Sequence, residues 1–280
     1  MIDIAFDSSN AWALYYAKAE LPVLRRTVQA LQRLNEAAEV SNARVIANTI
    51  MQDPLLTLRV LQHIEKHRGK RQITDITTIE RALVMIGFSP FFREFEHLPA
   101  IEDQLKNHPQ AMLGLLKVIT RARKAATWAH DWAIIRHDLD TDEITLAALL
   151  RYTSEMLMWC FAPALAITAR DMQERDHSLR SSEIQQQVFH AKLDELQIEL
   201  ARQWNLPELL ITLMDPAKPE HPRVKTVKLA CDLARHSAHG WDDAALPDDY
   251  AAICELLHID QAMLMKKLGL DADGKPLVEA

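Results

Sequence analysis

The side chains best suited to chemistry in this chain are its 12 histidines, and three placements among them have a telling spacing. His63 and His67 stand i, i+4 in H-I-E-K-H, which puts two imidazoles on one helix face, as zinc sites require. No Glu follows the first His, and Lys66 and Arg68 crowd the pair with positive charge, so the reading is a solvated helix end. His137-Asp138 is a literal His-Asp dipeptide. It lies beside an Asp-rich capping region and outside the apolar helix that follows, which makes it a surface pair. His236 and His239 precede Gly240, where imidazole favours the C-terminal end of a helix dipole, so capping is expected rather than ligation.

The other distinctive charges lie in the loop K-H-R-G-K-R, where Lys66, Arg68, Lys70 and Arg71 surround Gly69. With one Gly and no G-K-[ST] ending it is no phosphate-cradling P-loop. It reads either as a solvated loop or as a contact for a nucleotide phosphate or an acidic protein partner, and its four basic residues are the candidate partner-binding set. The cysteines, Cys160, Cys231 and Cys254, are odd in number and lack metal-ligand spacing, which implies reduced thiols in the cytoplasm. No Ser-His-Asp or Cys-His arrangement can be read from the scattered His and Cys.

The elements that must position these groups are helices. Of 280 residues, 49% are hydrophobic and 25% charged, with only 6 Gly, too few for a turn-rich β fold. Asp140 and Glu143 have capping-box spacing before an apolar run, Leu146 to Phe161, which reads as one buried helix with Arg151 and Tyr152 on its face. Asp53-Pro54 places an acceptor at N-cap and Pro at N1. Leu21-Pro22 opens a helix, Ser41 caps the next, and Thr77 to Glu80 forms a second capping box. Further helices are expected at 111–139, 164–174, 183–203, 208–214, 223–239, 248–258 and 261–268. The pattern loosens at 99–109, a subdomain junction.

Composition also bears on partners. Net charge is −7; residues 1–100 hold 12 basic and 11 acidic side chains, and 101–280 hold 20 and 28. Such a chain is a poor general nucleic-acid binder, since phosphate contacts supply most non-specific affinity. The start, M-I-D-I-A-F-D, lacks the basic region of a signal peptide, and the longest apolar run contains Pro163 and is too short for a bilayer, so no membrane association is expected.

Several pieces together resemble the HDOD family. They are L-P-V-L at 21–24, M-Q-D-P-L-L-T-L-R-V-L at 51–61, I-T-T-I-E-R-A-L-V-M-I-G at 76–87, T-W-A-H-D at 127–131, L-A-A-L-L at 146–150, R-Q-W-N-L-P at 202–207 and V-K-L-A-C-D-L-A at 227–234. The resemblance spans about residues 15–240 and leaves 241–280 as a C-terminal helical extension. It implies an all-α fold, a compact multi-helix array related to HD phosphohydrolases, and a non-catalytic role in bacterial signalling.

A working HD site gathers a His, a His-Asp pair and a later Asp on a metal that activates water. The resemblance places His130 at the first His and Asp232 at the last Asp. Arg151-Tyr152 stands where the His-Asp pair belongs, and an arginine, all donors and fixed charge, cannot ligate a metal. Met214-Asp215 likewise replaces a His pair found in many relatives. The positions His130, Arg151, Tyr152 and Asp232 are therefore vestigial, with no metal or other cofactor expected, and Arg151 is expected to pair with Asp232. The function implied is a non-enzymatic regulatory module that binds a signalling protein. The alternatives are a degenerate metal-dependent phosphohydrolase or nucleotide binder, and, more remotely, a nucleic-acid-associated regulator using the basic loop.

Overall fold

The computed structural model describes residues 1–36, 42–67, 76–176, 178–218, 220–271 and 274–277. Among these residues the chain is all-α, with no strand and two isolated bridges. The first half contains α1 (Ser9–Tyr16), α2 (Arg25–Glu36), α3 (Ala43–Met51), α4 (Pro54–Lys66), α5 (Ile79–Ile86), α6 (Phe88–Glu94) and α7 (Ile101–Gln104). The second contains α8 (Pro109–Ile135), α9 (Thr141–Leu150), α10 (Thr153–Phe161), α11 (Pro163–Arg175), α12 (Ser181–Phe189), α13 (Leu193–Gln203), α14 (Glu208–Met214) and α15 (Pro222–His236). The last two are α16 (Leu246–Leu257) and α17 (Gln261–Leu268). No described helix is long and apolar enough to cross a membrane.

The axis of the array is α8, whose 27 residues pack against α9, α10 and α15. Its buried stripe is built of small residues, among them Ala111, Gly114, Ala122, Ala125, Ala129 and Ala133, so neighbouring helices approach closely. At Gly114 the approach is tightest: a Cβ there would lie 2.7 Å from the Trp159 ring.

The residues that carry the resemblance do structural work. Asp53 is fully buried and caps α4, accepting from the backbone N–H of Leu55 at 3.1 Å and Leu56 at 3.3 Å. Its other oxygen accepts from Leu24 N–H at 2.7 Å, which ties the L-P-V-L segment to the D-P-L-L turn. Arg59, one turn along, donates to the Leu21 carbonyl at 2.5 Å. Leu21–Leu24 is thereby held extended and forms a bridge with Ala100, so the expected helix begins later, at Arg25. The segment expected as a junction, 99–109, holds α7 and is stitched to both sides: Glu102 accepts from Arg25 N–H at 2.9 Å, and Gln104 donates to the Cys160 carbonyl at 2.7 Å.

Local signals were overridden at two capping boxes and within two expected helices. Asp140 makes no side-chain cap and pairs with Arg223, while Glu143 is buried and accepts from the Thr77 hydroxyl at 2.6 Å. Thr77 is thus drawn away from its own box, and Thr78 caps α5. The helix expected to run through to Phe161 stops at Leu150; Thr153 donates to the Leu150 carbonyl and Gln197 accepts from Ser154 N–H, which restarts the chain as α10. The helix expected over 183–203 is likewise split at His190, which adopts a left-handed conformation, φ 54°. Ser41 lies outside the described residues; Asn42 caps α3.

Candidate functional site

The break between α9 and α10 points Arg151 and Tyr152 toward different neighbours. The Tyr152 hydroxyl donates to the Cys231 carbonyl on α15 at 2.6 Å, and the Arg121 guanidinium from α8 lies over its ring, 4.2 Å from the centroid. Arg121 is also paired with Glu155 on α10. Burial pushes the Tyr152 phenol well above its ordinary value, so it stays protonated as a donor. Cys231 is buried, its thiol pushed up to about 12 by burial against the opposing pull of Arg151, and so it is no nucleophile.

Arg151 does not reach Asp232, contrary to expectation. It pairs at 2.8 Å with Asp194 on α13. Burial alone would pull the guanidinium down, but the Asp194 carboxylate, together with Cys231 and Tyr152, more than offsets it. Asp232 is claimed by its own helix, with Lys228 at 2.5 Å and Arg235 at 3.2 Å. The physical reason is proximity: i, i+3 and i, i+4 neighbours reach the carboxylate while their own charges remain half in water. His130 sits apart, on α8, with Nδ1 3.2 Å from the Thr145 hydroxyl. That hydroxyl donates to the Thr141 carbonyl at 2.7 Å, so the imidazole donates through Nδ1.

These four positions therefore lie on three converging pieces of chain without forming a ligand set. Among the described residues no three His, Cys, Asp or Glu side chains gather as metal donors. The residues present do not fit the divalent metal of HD relatives: a guanidinium occupies the pair position, and two cations already neutralise Asp232. Sequence reasoning missed Arg121, Glu155 and Asp194, which complete the polar cluster. Arg121 was legible only as one of several charges on α8, beside Lys117, Arg123 and Lys124; its partners lie 31 or more residues away and leave no local signal.

The other candidates resolve individually. His63 Nδ1 pairs with Glu94 at 3.2 Å and His67 Nδ1 contacts the His63 carbonyl at 2.7 Å, so each ring has a protein partner of its own. Lys66 is exposed at the end of α4; Arg68, Lys70 and Arg71 lie outside the described residues. His137 is exposed, but Asp138 is largely buried between Arg136 at 3.2 Å and Arg223 at 3.9 Å, so the pair is only half a surface feature. His236 caps nothing: its Nδ1 meets Asp249 of α16 at 2.6 Å, joining the C-terminal helices to α15, and Ser237 takes the C-cap.

The HDOD domain model matches residues 21–218. No curated protein matches the chain. Among solved structures it is similar to the MmoQ response regulator of Methylococcus capsulatus str. Bath, at 19% identity and TM-score 0.67, covering 90% of this chain and 99% of that one. It is similar also to a virulence factor of Campylobacter jejuni subsp. jejuni, at 19% identity and TM-score 0.67, covering 95% and 91%. These likenesses show a shared fold. With a family match over more than half its length and the all-helical array in place, the chain belongs to the HDOD domain family.

Proposed function

We propose that this protein is a non-enzymatic regulatory module of bacterial signalling that works in the cytoplasm through contacts with another protein. The observation that carries the reading is the closed polar cluster at the vestigial site. Arg151 is tied to Asp194, Tyr152 to Cys231 and Arg121 to Glu155, so the groups that would need to be free for metal or substrate are engaged with one another. Water activation needs a metal or a placed base. Half-buried His130 is held by Thr145 with no carboxylate oriented behind it. The likeness to a structure titled a response regulator is in keeping with a signalling role. What remains to act is a rigid helical body with exposed side chains.

Two measurements test this together. Elemental analysis of purified protein is expected to find no stoichiometric iron, zinc or manganese, and phosphodiesterase and nucleotidase assays no turnover. In the source cell, His130→Ala is expected to leave the phenotype intact. About one equivalent of metal that is lost on His130→Ala, or a phenotype abolished by that change at unchanged stability, refutes the reading.

A further inference from the structure

We infer that the cleft between α5 and the start of α9 docks a short basic segment of a partner protein, anchored by an apolar side chain. The inference rests on the regulatory reading above and names the partner's chemistry. The cleft has a volume of about 600 Å³ and is lined by Val84, Met85 and Leu139, which are 70%, 48% and 94% exposed. Apolar side chains this exposed and this close together are a contact surface in search of a cover.

The exposure of Leu139 is built in. Its two neighbours are each held in place: Asp138 is gripped by Arg136 and Arg223, and Asp140 by Arg223. The backbone is braced as well, with Asp138 N–H donating to the Ala133 carbonyl at 2.9 Å and the Thr141 hydroxyl to the Asp138 carbonyl at 3.0 Å. A turn clamped at both flanks holds a leucine in water at a steady desolvation gain for anything that covers it. Preorganisation of this kind lowers the ordering cost of binding.

Charge selects the occupant. Glu80 and Asp142 line the cleft and are exposed, and among the described residues neither has an ion-pair partner. Asp140 adds a third carboxylate, shared with Arg223, against Arg81, the one lining cation among the described residues. Glu143 contributes little outward, being buried and bonded to Thr77. An apolar lining with a net acidic rim fits Lys or Arg flanking an apolar anchor, and disfavours an acidic segment by like-charge contact.

The test uses the full chain and a fluorescein-labelled model peptide with Leu and Lys at helical spacing, alongside its Leu and Glu counterpart. Anisotropy is expected to report binding of the basic peptide only. Glu80→Lys with Asp142→Lys, and separately Leu139→Ser, should each weaken binding about tenfold, and added salt should weaken it further. All three sites are exposed, so folding is retained, checked by circular dichroism. Equal binding of both peptides, no binding of the basic one, or unchanged binding by both variants overturns the inference. So does sedimentation showing a wild-type dimer that the charge reversal dissociates, since the cleft would then hold a second copy. In the source cell the same variants separate the two proposals. Loss of peptide binding with an intact phenotype refutes the cleft as the working surface and leaves the regulatory reading standing. Loss of phenotype on His130→Ala at unchanged stability refutes the regulatory reading whatever the peptide does.

Discussion

Asp53→Ala is the substitution whose cost can be worked most fully from the structure. The carboxylate is 0% exposed and accepts three backbone N–H groups, from Leu24, Leu55 and Leu56. Removing the N-cap of α4 costs about 1 kcal/mol. Leaving the buried Leu24 N–H without an acceptor adds about 1–3 kcal/mol. The sum, about 2–4 kcal/mol, should lower the melting temperature by on the order of 10 °C for a chain of this size. The same residue has a pH signature. Burial raises its carboxyl above 3.8, against the opposing hydrogen bonds from Leu24 and its neighbours. A carboxyl that keeps its proton longer when folded contributes stability at acid pH, and that contribution is lost as pH rises through the window above 3.8. In Asp53→Ala that component of the pH dependence should vanish. Thermal melts by circular dichroism across pH, with exposed Asp142→Ala as control, measure both effects. A loss below about 1 kcal/mol would refute the claim that Asp53 joins the two family segments.

Three further outcomes are expected. In double-mutant cycles on stability, Arg151→Met should couple to Asp194→Ala by about 0.5 kcal/mol, small because solvent screens a carboxylate that is 64% exposed; coupling to Asp232→Ala instead would show that the ion pairs are misassigned. Gly114→Ala should destabilise by about 1–2 kcal/mol, since a Cβ 2.7 Å from the buried Trp159 ring overpacks by more than the gain in helix propensity, and a denaturant titration showing stabilisation would contradict this. With an aromatic disulfide reagent, Cys254, which is partly exposed, should react in the native state while the buried Cys160 and Cys231 react only on unfolding; rapid native labelling of Cys231 would count against its closed setting.

Much of the architecture was legible before any coordinates. The Asp53-Pro54 start and the helices expected at 164–174 and 261–268 stand as read, because caps and helical periodicity depend on neighbours within four residues. The all-α fold follows from the same local signals, and the family from short motifs in order. Of the site, the sequence states the chemistry of its side chains, since an arginine offers only donors in any fold.

Partner choice was another matter. Asp140 and Glu143 have the spacing of a box, yet one goes to Arg223 and the other to Thr77, 66 residues earlier. The apolar run through Leu150 and Leu157 reads as one helix, but Gln197 and the Leu150 carbonyl restart it after Tyr152. Arg151 was expected beside Asp232 because relatives converge there; the turn swings it to Asp194 instead, and Lys228 and Arg235 satisfy Asp232 from its own helix. A sequence states which groups need partners and which backbone segments can form helices on their own. Which distant donor meets which acceptor is decided only by packing, because a buried charge or N–H takes the partner that the assembled helices bring within about 3 Å.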